Sequence, residues 1–230
     1  MQISIAANNT EGEMIVQNIE IVETMAPEQE FTRIAEDDRI QRTVRALDAN
    51  GIHALVAENG EEARRMFFEL VPEGAEIFLG ASATLDALGI RQEVDKSGRY
   101  EALRLKTMAM NRATQGREIR KLNGTPDYAA GSVQAVTEDG HVLIASNGGS
   151  QLGPYASGAG KVIWVVGAQK IVRDFEEGMR RVYEHSLPLE EARIRKAYNI
   201  HSNVSKLLVI NKEVQPNRIT MIIVKESLGF

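Results

Sequence analysis

The sequence predicts an α/β domain with a mostly parallel sheet, and three observations carry that expectation. Short apolar runs alternate with segments of helical periodicity, the order of repeated βα units. The run "KVIWVVG", 161–167, is apolar on both faces, as a central parallel strand covered on each side should be. The chain has 230 residues, 43% apolar and 26% charged, which suits one globular α/β domain with an extension.

Taken in order, residues 1–26 read as a β-hairpin or arm, with "NNTEG" as turn chemistry between "QISIA" and an Ile- and Val-rich run. The domain proper then occupies residues 27–230. Pro27 suits a first helical turn, and Ile40, Val44 and Leu47 recur at helical spacing before the stop at Asn50-Gly51. "IHALVAE" is a short strand. Asn59 with Glu62 caps the next helix, whose stripe is Ala63, Met66, Phe67 and Leu70. "AEIFLG" is a buried strand, and "ASATLDALGI" a short helix closed by Gly89. Residues 91–127 are polar, with "RYEALRLKTMAM" a helix candidate and "LNGTPDY" a loop. "YAAGSVQAV" and "HVLIA" flank the turn "TEDG", and a helix is expected over about Ser150 to Ser157. Asp174 with Glu177 caps a helix with the stripe Phe175, Met179 and Val182, and Pro188 begins another, "LEEARIRKAY". "KLLVINKE" and "RITMIIVKESLGF", joined by "QPNR", are expected to pair as a hairpin.

Composition narrows the function. A formal net charge of −5 gives no electrostatic footprint for duplex nucleic acid. With no cysteine, the chain has no disulfide, thiolate nucleophile or sulfur-ligated metal site. His53, His141, His185 and His201 are scattered without ligand spacing, so a metal site is not expected. No basic leader and no bilayer-length apolar run is present, so neither a membrane nor an exported location is expected and a cytoplasmic one is.

In open α/β sheets ligands lie beyond the carboxyl ends of strands. Two loops fit that place. "LGASATL" offers Gly80, Ser82 and Thr84 at the start of a helix, and "SNGGSQ" offers Asn147, Gly148, Gly149 and Ser150. Small residues let backbone N–H groups approach an anion. Neither loop matches a P-loop or the spaced glycines of a dinucleotide site, and each also reads as a turn with an N-cap. Lys170, just past the central strand, can reach an anionic ligand or simply be solvated. Glu138, in "TEDG", is the acid/base candidate if the chain is catalytic; a solvated hairpin turn is the competing reading.

"LGASATL" followed by "LGI", then "GSVQAVTEDGHVLIASNGG", "KVIWVVGAQKIVRDFEEGMRRV" and "RITMIIVKESLGF" together resemble the LUD domain family, named for lactate utilisation, from about Asp38 to Phe230. The resemblance implies a three-layer α/β/α fold like that of ribose-5-phosphate isomerase and the CoA transferases. It also implies a link to oxidation of L-lactate to pyruvate beside iron–sulfur protein partners, and a small anionic metabolite or nucleotide-like ligand at the glycine-containing loops. It names no cofactor and no catalytic residue. Two other readings stand beside this one: a non-catalytic accessory subunit docking to an iron–sulfur electron-transfer partner, and a phosphosugar or CoA-ester enzyme unrelated to lactate. The arm over residues 1–26 lies outside the resemblance and suits subunit pairing, so a homodimer is expected.

Overall fold

The computed structural model describes residues 27–230, and the arm expected over residues 1–26 lies outside the described residues. After a short 3₁₀ turn at Gln29–Thr32, helix α1 (Asp37–Ala49) turns Ile40, Thr43 and Leu47 inward. Strand β1 (His53–Ala57) leads to α2 (Gly60–Leu70), where the Asn59 side chain accepts from the Glu62 N–H at 2.9 Å as the sequence predicts. Strand β2 (Glu76–Leu79) is followed by α3 (Ala83–Ala87) and α4 (Ile90–Lys96), with Gly89 left-handed between them.

The polar stretch resolves into β3 (Glu101–Ala102), α5 (Leu103–Met108) and α6 (Arg112–Gly124). Helix α6 buries no residue, so it carries no apolar stripe for sequence periodicity to find. Next come β4 (Tyr128–Gly131), β5 (Ala135–Thr137), β6 (Val142–Ser146), a wide helical turn at Pro154–Gly158, and β7 (Lys161–Gly167). A 3₁₀ turn, Ala168–Lys170, precedes β8 (Ile171–Val172). Helices α7 (Phe175–Arg180) and α8 (Leu187–Tyr198) are joined without a break by a π-type segment, Arg181–Ser186, and β9 (Lys206–Ile210) and β10 (Ile219–Val224) close the fold.

Strands order β1-β10-β7-β4-β2-β3 in a six-stranded sheet whose neighbours are all parallel. Strand β7 is internal, as its two-faced apolarity requires. Its Ile163 and Val165 face a core with Ala63 and Phe67 of α2 and Leu85 of α3. Val162, Trp164 and Val166 face the opposite core, with Ile40 and Leu47 of α1. The sheet is thus flanked by helices in a three-layer α/β arrangement.

A second sheet, β8-β5-β6-β9, adds to the α1 side. Val136, Val142 and Ile144 pack into the shared core, while Ala135, Leu143 and Val172 turn away toward Phe31 and Met179. The "TEDG" turn joins β5 to antiparallel β6, with Gly140 at φ +84°. The hairpin expected near the C-terminal end is corrected here. Strand β9 pairs antiparallel with β6 in the small sheet, and β10 lies between β1 and β7 in the large one. The reason is burial: Met221–Val224 are buried, which only an interior strand satisfies, whereas β9 is largely half-exposed.

Candidate functional site

The carboxyl ends of parallel strands β2, β4, β7 and β10 emerge at one edge of the large sheet. The segments that follow them meet there. Ala81–Thr84 after β2, Ser132–Gln134 after β4, Lys170 after β7 and Phe230 after β10 line one cleft of about 230 Å³. Ala145 and Ser146 at the end of β6, Asn147, Gly148, Ser150 and Gln151 after it, and Leu187, Glu190 and Arg193 of α8 complete much of the wall.

Both loops singled out from sequence reach this cleft. Ser82 caps α3 by accepting from the Leu85 N–H at 3.2 Å, and Thr84 is buried with its hydroxyl donating to the Leu228 carbonyl at 3.2 Å. Gly80 lies beneath the lining. Its carbonyl accepts from Arg91 Nη2 at 2.7 Å, and a Cβ there would lie 2.9 Å from the Tyr155 hydroxyl. In the second loop Asn147, Gly148 and Ser150 line the cleft. Gly149 shapes the turn from outside the lining: its φ is +85°, and its N–H donates to Ser146 Oγ at 2.8 Å. Asn147 Oδ1 accepts from the Ser205 hydroxyl at 2.9 Å, which fixes this loop to the segment before β9.

Lys170 reaches the first loop at Thr84. It is 1% exposed, and its Nζ lies 3.1 Å from Ser132 Oγ, 3.1 Å from the main-chain oxygen of Phe230 and 3.4 Å from Thr84 Oγ1. Among the described residues no acidic side chain is paired with it. Burial, reinforced by the nearby Arg181 charge, pushes its amine well below the ordinary lysine range.

Arg181 is the residue that sequence reasoning missed. It is fully buried at the head of the π-type segment, and burial lowers its guanidinium to about 9. Nη1 donates to the Gln134 carbonyl and to Ser186 Oγ at 3.1 Å, and both residues line the cleft. Among the described residues, its Nε and Nη2 have no hydrogen-bond partner. Arg218 shows what a structural buried arginine does in the same chain. Its three nitrogens bond the carbonyls of Ala159, Pro154 and Tyr155 at 2.9–3.1 Å and the Glu213 carboxylate at 2.6 Å. Arg181 was hidden because the stripe it belongs to, Gly178, Arg181, Val182, His185 and Ser186, is mostly polar. The apolar stripe expected from sequence shares Val182 with it, but Phe175 is 47% exposed.

Among the described residues, the one acidic side chain lining the cleft is Glu190, and Arg193 holds both its oxygens at 2.7 and 2.8 Å. Glu138 is not brought to the cleft. It sits at the "TEDG" turn, with Oε1 2.7 Å from Arg39 Nε and Oε2 3.3 Å from Arg42 Nη2. Those contacts occupy both oxygens in an ion-pair cluster outside the cleft lining. His185 is buried with Nδ1 2.9 Å from the Glu28 carbonyl, and burial lowers it below the usual histidine value. Among the described residues, no group of acidic and histidine side chains is placed to hold a metal ion, and no helix is long and apolar enough to cross a membrane.

An α/β protein with a polar, cation-backed cleft at the strand ends is thus defined. Comparison with known families gives it a place: the LUD domain matches residues 40–224, and the chain belongs to that family. Among solved structures, a DUF162 family protein from Deinococcus radiodurans is similar at 12% identity, covering 84% of this chain and 99% of that one with a TM-score of 0.49. The eIF2B beta of Chaetomium thermophilum is similar at 14% identity over 60% of this chain and 44% of that one, with a TM-score of 0.27. A search of curated proteins gives no match.

Proposed function

We propose that this LUD-domain chain binds a small anionic metabolite in the cleft between the two loops, and that it serves lactate utilisation. One observation supports the anionic ligand above the others. Lys170 is buried in the cleft lining and Arg181 behind it; among the described residues neither touches an acidic side chain, and two nitrogens of Arg181 lack any partner. A desolvated cation left unpaired costs several kcal/mol, on the order of 3–5, and an anion from solution would offset it. Hydroxyls of Ser132, Thr84 and Ser186 and the small-residue loops add donors without negative charge. The link to lactate rests on the family's association alone.

The test is the thermal midpoint of the purified chain against lactate, pyruvate, sugar phosphates, CoA esters and nucleotides. A ligand at 100 times its Kd stabilises by roughly 2.7 kcal/mol. For a chain of this size that raises the midpoint by about 2–4 °C per kcal/mol. One anion class should shift wild type, and Lys170→Met should fold but lose the shift. If no anion shifts the midpoint, the reading fails and the accessory-subunit alternative, which a cysteine-free chain suits, takes its place.

A further inference from the structure

We propose that the cleft takes a 2-oxo acid in preference to the matching 2-hydroxy acid, and that Gln134 sets this preference by donating from its amide nitrogen to the ligand's carbonyl oxygen. The inference rests on the anion-binding reading above and deepens it by naming the class of anion.

Gln134 forms part of the cleft wall, and its side chain is fixed from behind. Its Oε1 accepts from the Ala145 N–H at 2.8 Å. A main-chain N–H can only donate, so the amide has one orientation, with its oxygen toward the backbone and its nitrogen at the other end. That Nε2 meets no acceptor among the described residues, yet it is not one of the sealed, unpartnered atoms of the interior, so its protons are open to the cleft. Ser186 is held in the same sense. Its Oγ accepts from Arg181 Nη1 at 3.1 Å, and a guanidinium never accepts in return, so the hydroxyl keeps its own proton to give. The same Nη1 donates to the Gln134 carbonyl, which sets Ser186 and Gln134 side by side with the buried positive charge behind both.

Acceptors near this wall are already engaged. Glu190 is the one acidic side chain of the lining among the described residues, and Arg193 holds both its oxygens. The main-chain oxygen of Phe230 accepts from Lys170. A carboxylate and a carbonyl on adjacent carbons bring only acceptors, which suits the neighbouring donors of Ser186 and Gln134. A hydroxyl in place of the carbonyl brings a proton that the amide nitrogen of Gln134 cannot accept, and a donor stripped of water without a partner is costly. Val133, Val182 and Leu187 in the same lining give a short alkyl chain an apolar place, and the cleft volume of about 230 Å³ suits a molecule of this size.

The experiment is calorimetric titration of the full chain at neutral pH with pyruvate and both enantiomers of lactate, then with 2-oxobutyrate and both enantiomers of 2-hydroxybutyrate. Within each set the charge and the carbon skeleton are the same, and only the carbonyl and hydroxyl differ. Each oxo acid should bind at least about tenfold tighter than either matching hydroxy acid, the factor that one unpaired donor represents. Gln134→Glu keeps an oxygen for the Ala145 N–H but exchanges the donor for an acceptor. Its added charge weakens both acids alike, so the ratio of their dissociation constants isolates the hydrogen bond, and the preference should vanish or invert. Gln134→Met, which lacks the donor and adds no charge, should also lose the preference and serves where the glutamate variant fails to fold. Hydroxy acids that bind wild type as tightly as the oxo acids overturn the proposal, and so does a preference that survives in both variants. Ribose 5-phosphate binding where no carboxylic acid of either kind binds overturns the oxo acid and leaves the anion site standing. No binding of any of these anions, with no shift in the thermal midpoint, overturns both.

Discussion

At the residue scale, the buried lysine has a consequence for stability. Its amine is more acidic in the folded chain than in the unfolded one, so between those two values the unfolded chain binds a proton that the folded chain does not. Stability contributed at this position therefore rises with pH across that window, by up to about 1.4 kcal/mol per pH unit, and falls as pH drops toward the folded value. Chemical denaturation of ligand-free wild type and Lys170→Met at neutral and alkaline pH should show wild type gaining on the variant as pH rises. Parallel curves would mean that Lys170 is not held neutral. Glu138 gives the opposite kind of prediction. Both its oxygens are tied to half-exposed arginines, so Glu138→Gln should cost no more than about 1 kcal/mol. It should leave any ligand-induced shift unchanged, and loss of that shift would return Glu138 to the site.

At the element scale, the two strand-end loops are built differently, and their glycines separate by role. Gly148 has open space around its Cβ position and an ordinary φ, so Gly148→Ala should change stability by less than about 0.5 kcal/mol. Gly149 sits at φ +85°, and a side chain there also crowds the Lys206 stem at 2.7 Å. Gly149→Ala should cost about 1–2 kcal/mol, read by denaturant midpoint. Equal effects would mean the turn differs from that described. The strength of local signals decided which elements could be read. Asn59 and Asp174 cap their helices where their spacing to Glu62 and Glu177 places them. Helix α6, with nothing buried, and the polar inner stripe around Arg181 gave periodicity no signal. Strands β9 and β10 are close in sequence and suggest a hairpin, but partner choice follows the burial of both faces of β10, which depends on the whole sheet.

At the scale of the whole molecule, the alternation of strands and helices was enough to give the α/β class and the internal place of β7. The second sheet was not legible, because its short strands are continuous in sequence with those of the first; "YAAGSVQAV" divides into β4 in one sheet and β5 in the other. That division brings Ser132 between the sheets and beside Lys170. The cleft is therefore a product of topology: loops 80–84 and 147–150 were visible as anion cradles and Lys170 as a group able to reach an anion, while Arg181 behind them required the fold. The central claim is that an anion occupies this cleft, and backbone amide chemical-shift mapping tests it most directly. Isotope-labelled wild-type protein would be titrated with pyruvate and, separately, with ribose 5-phosphate. Shifts concentrated at Ala81–Thr84, Ser132–Gln134, Gly148–Gln151 and Ser186 are the predicted result. Saturable shifts centred elsewhere, for instance on the groove of Arg39 and Glu177, or none with either anion, would contradict it.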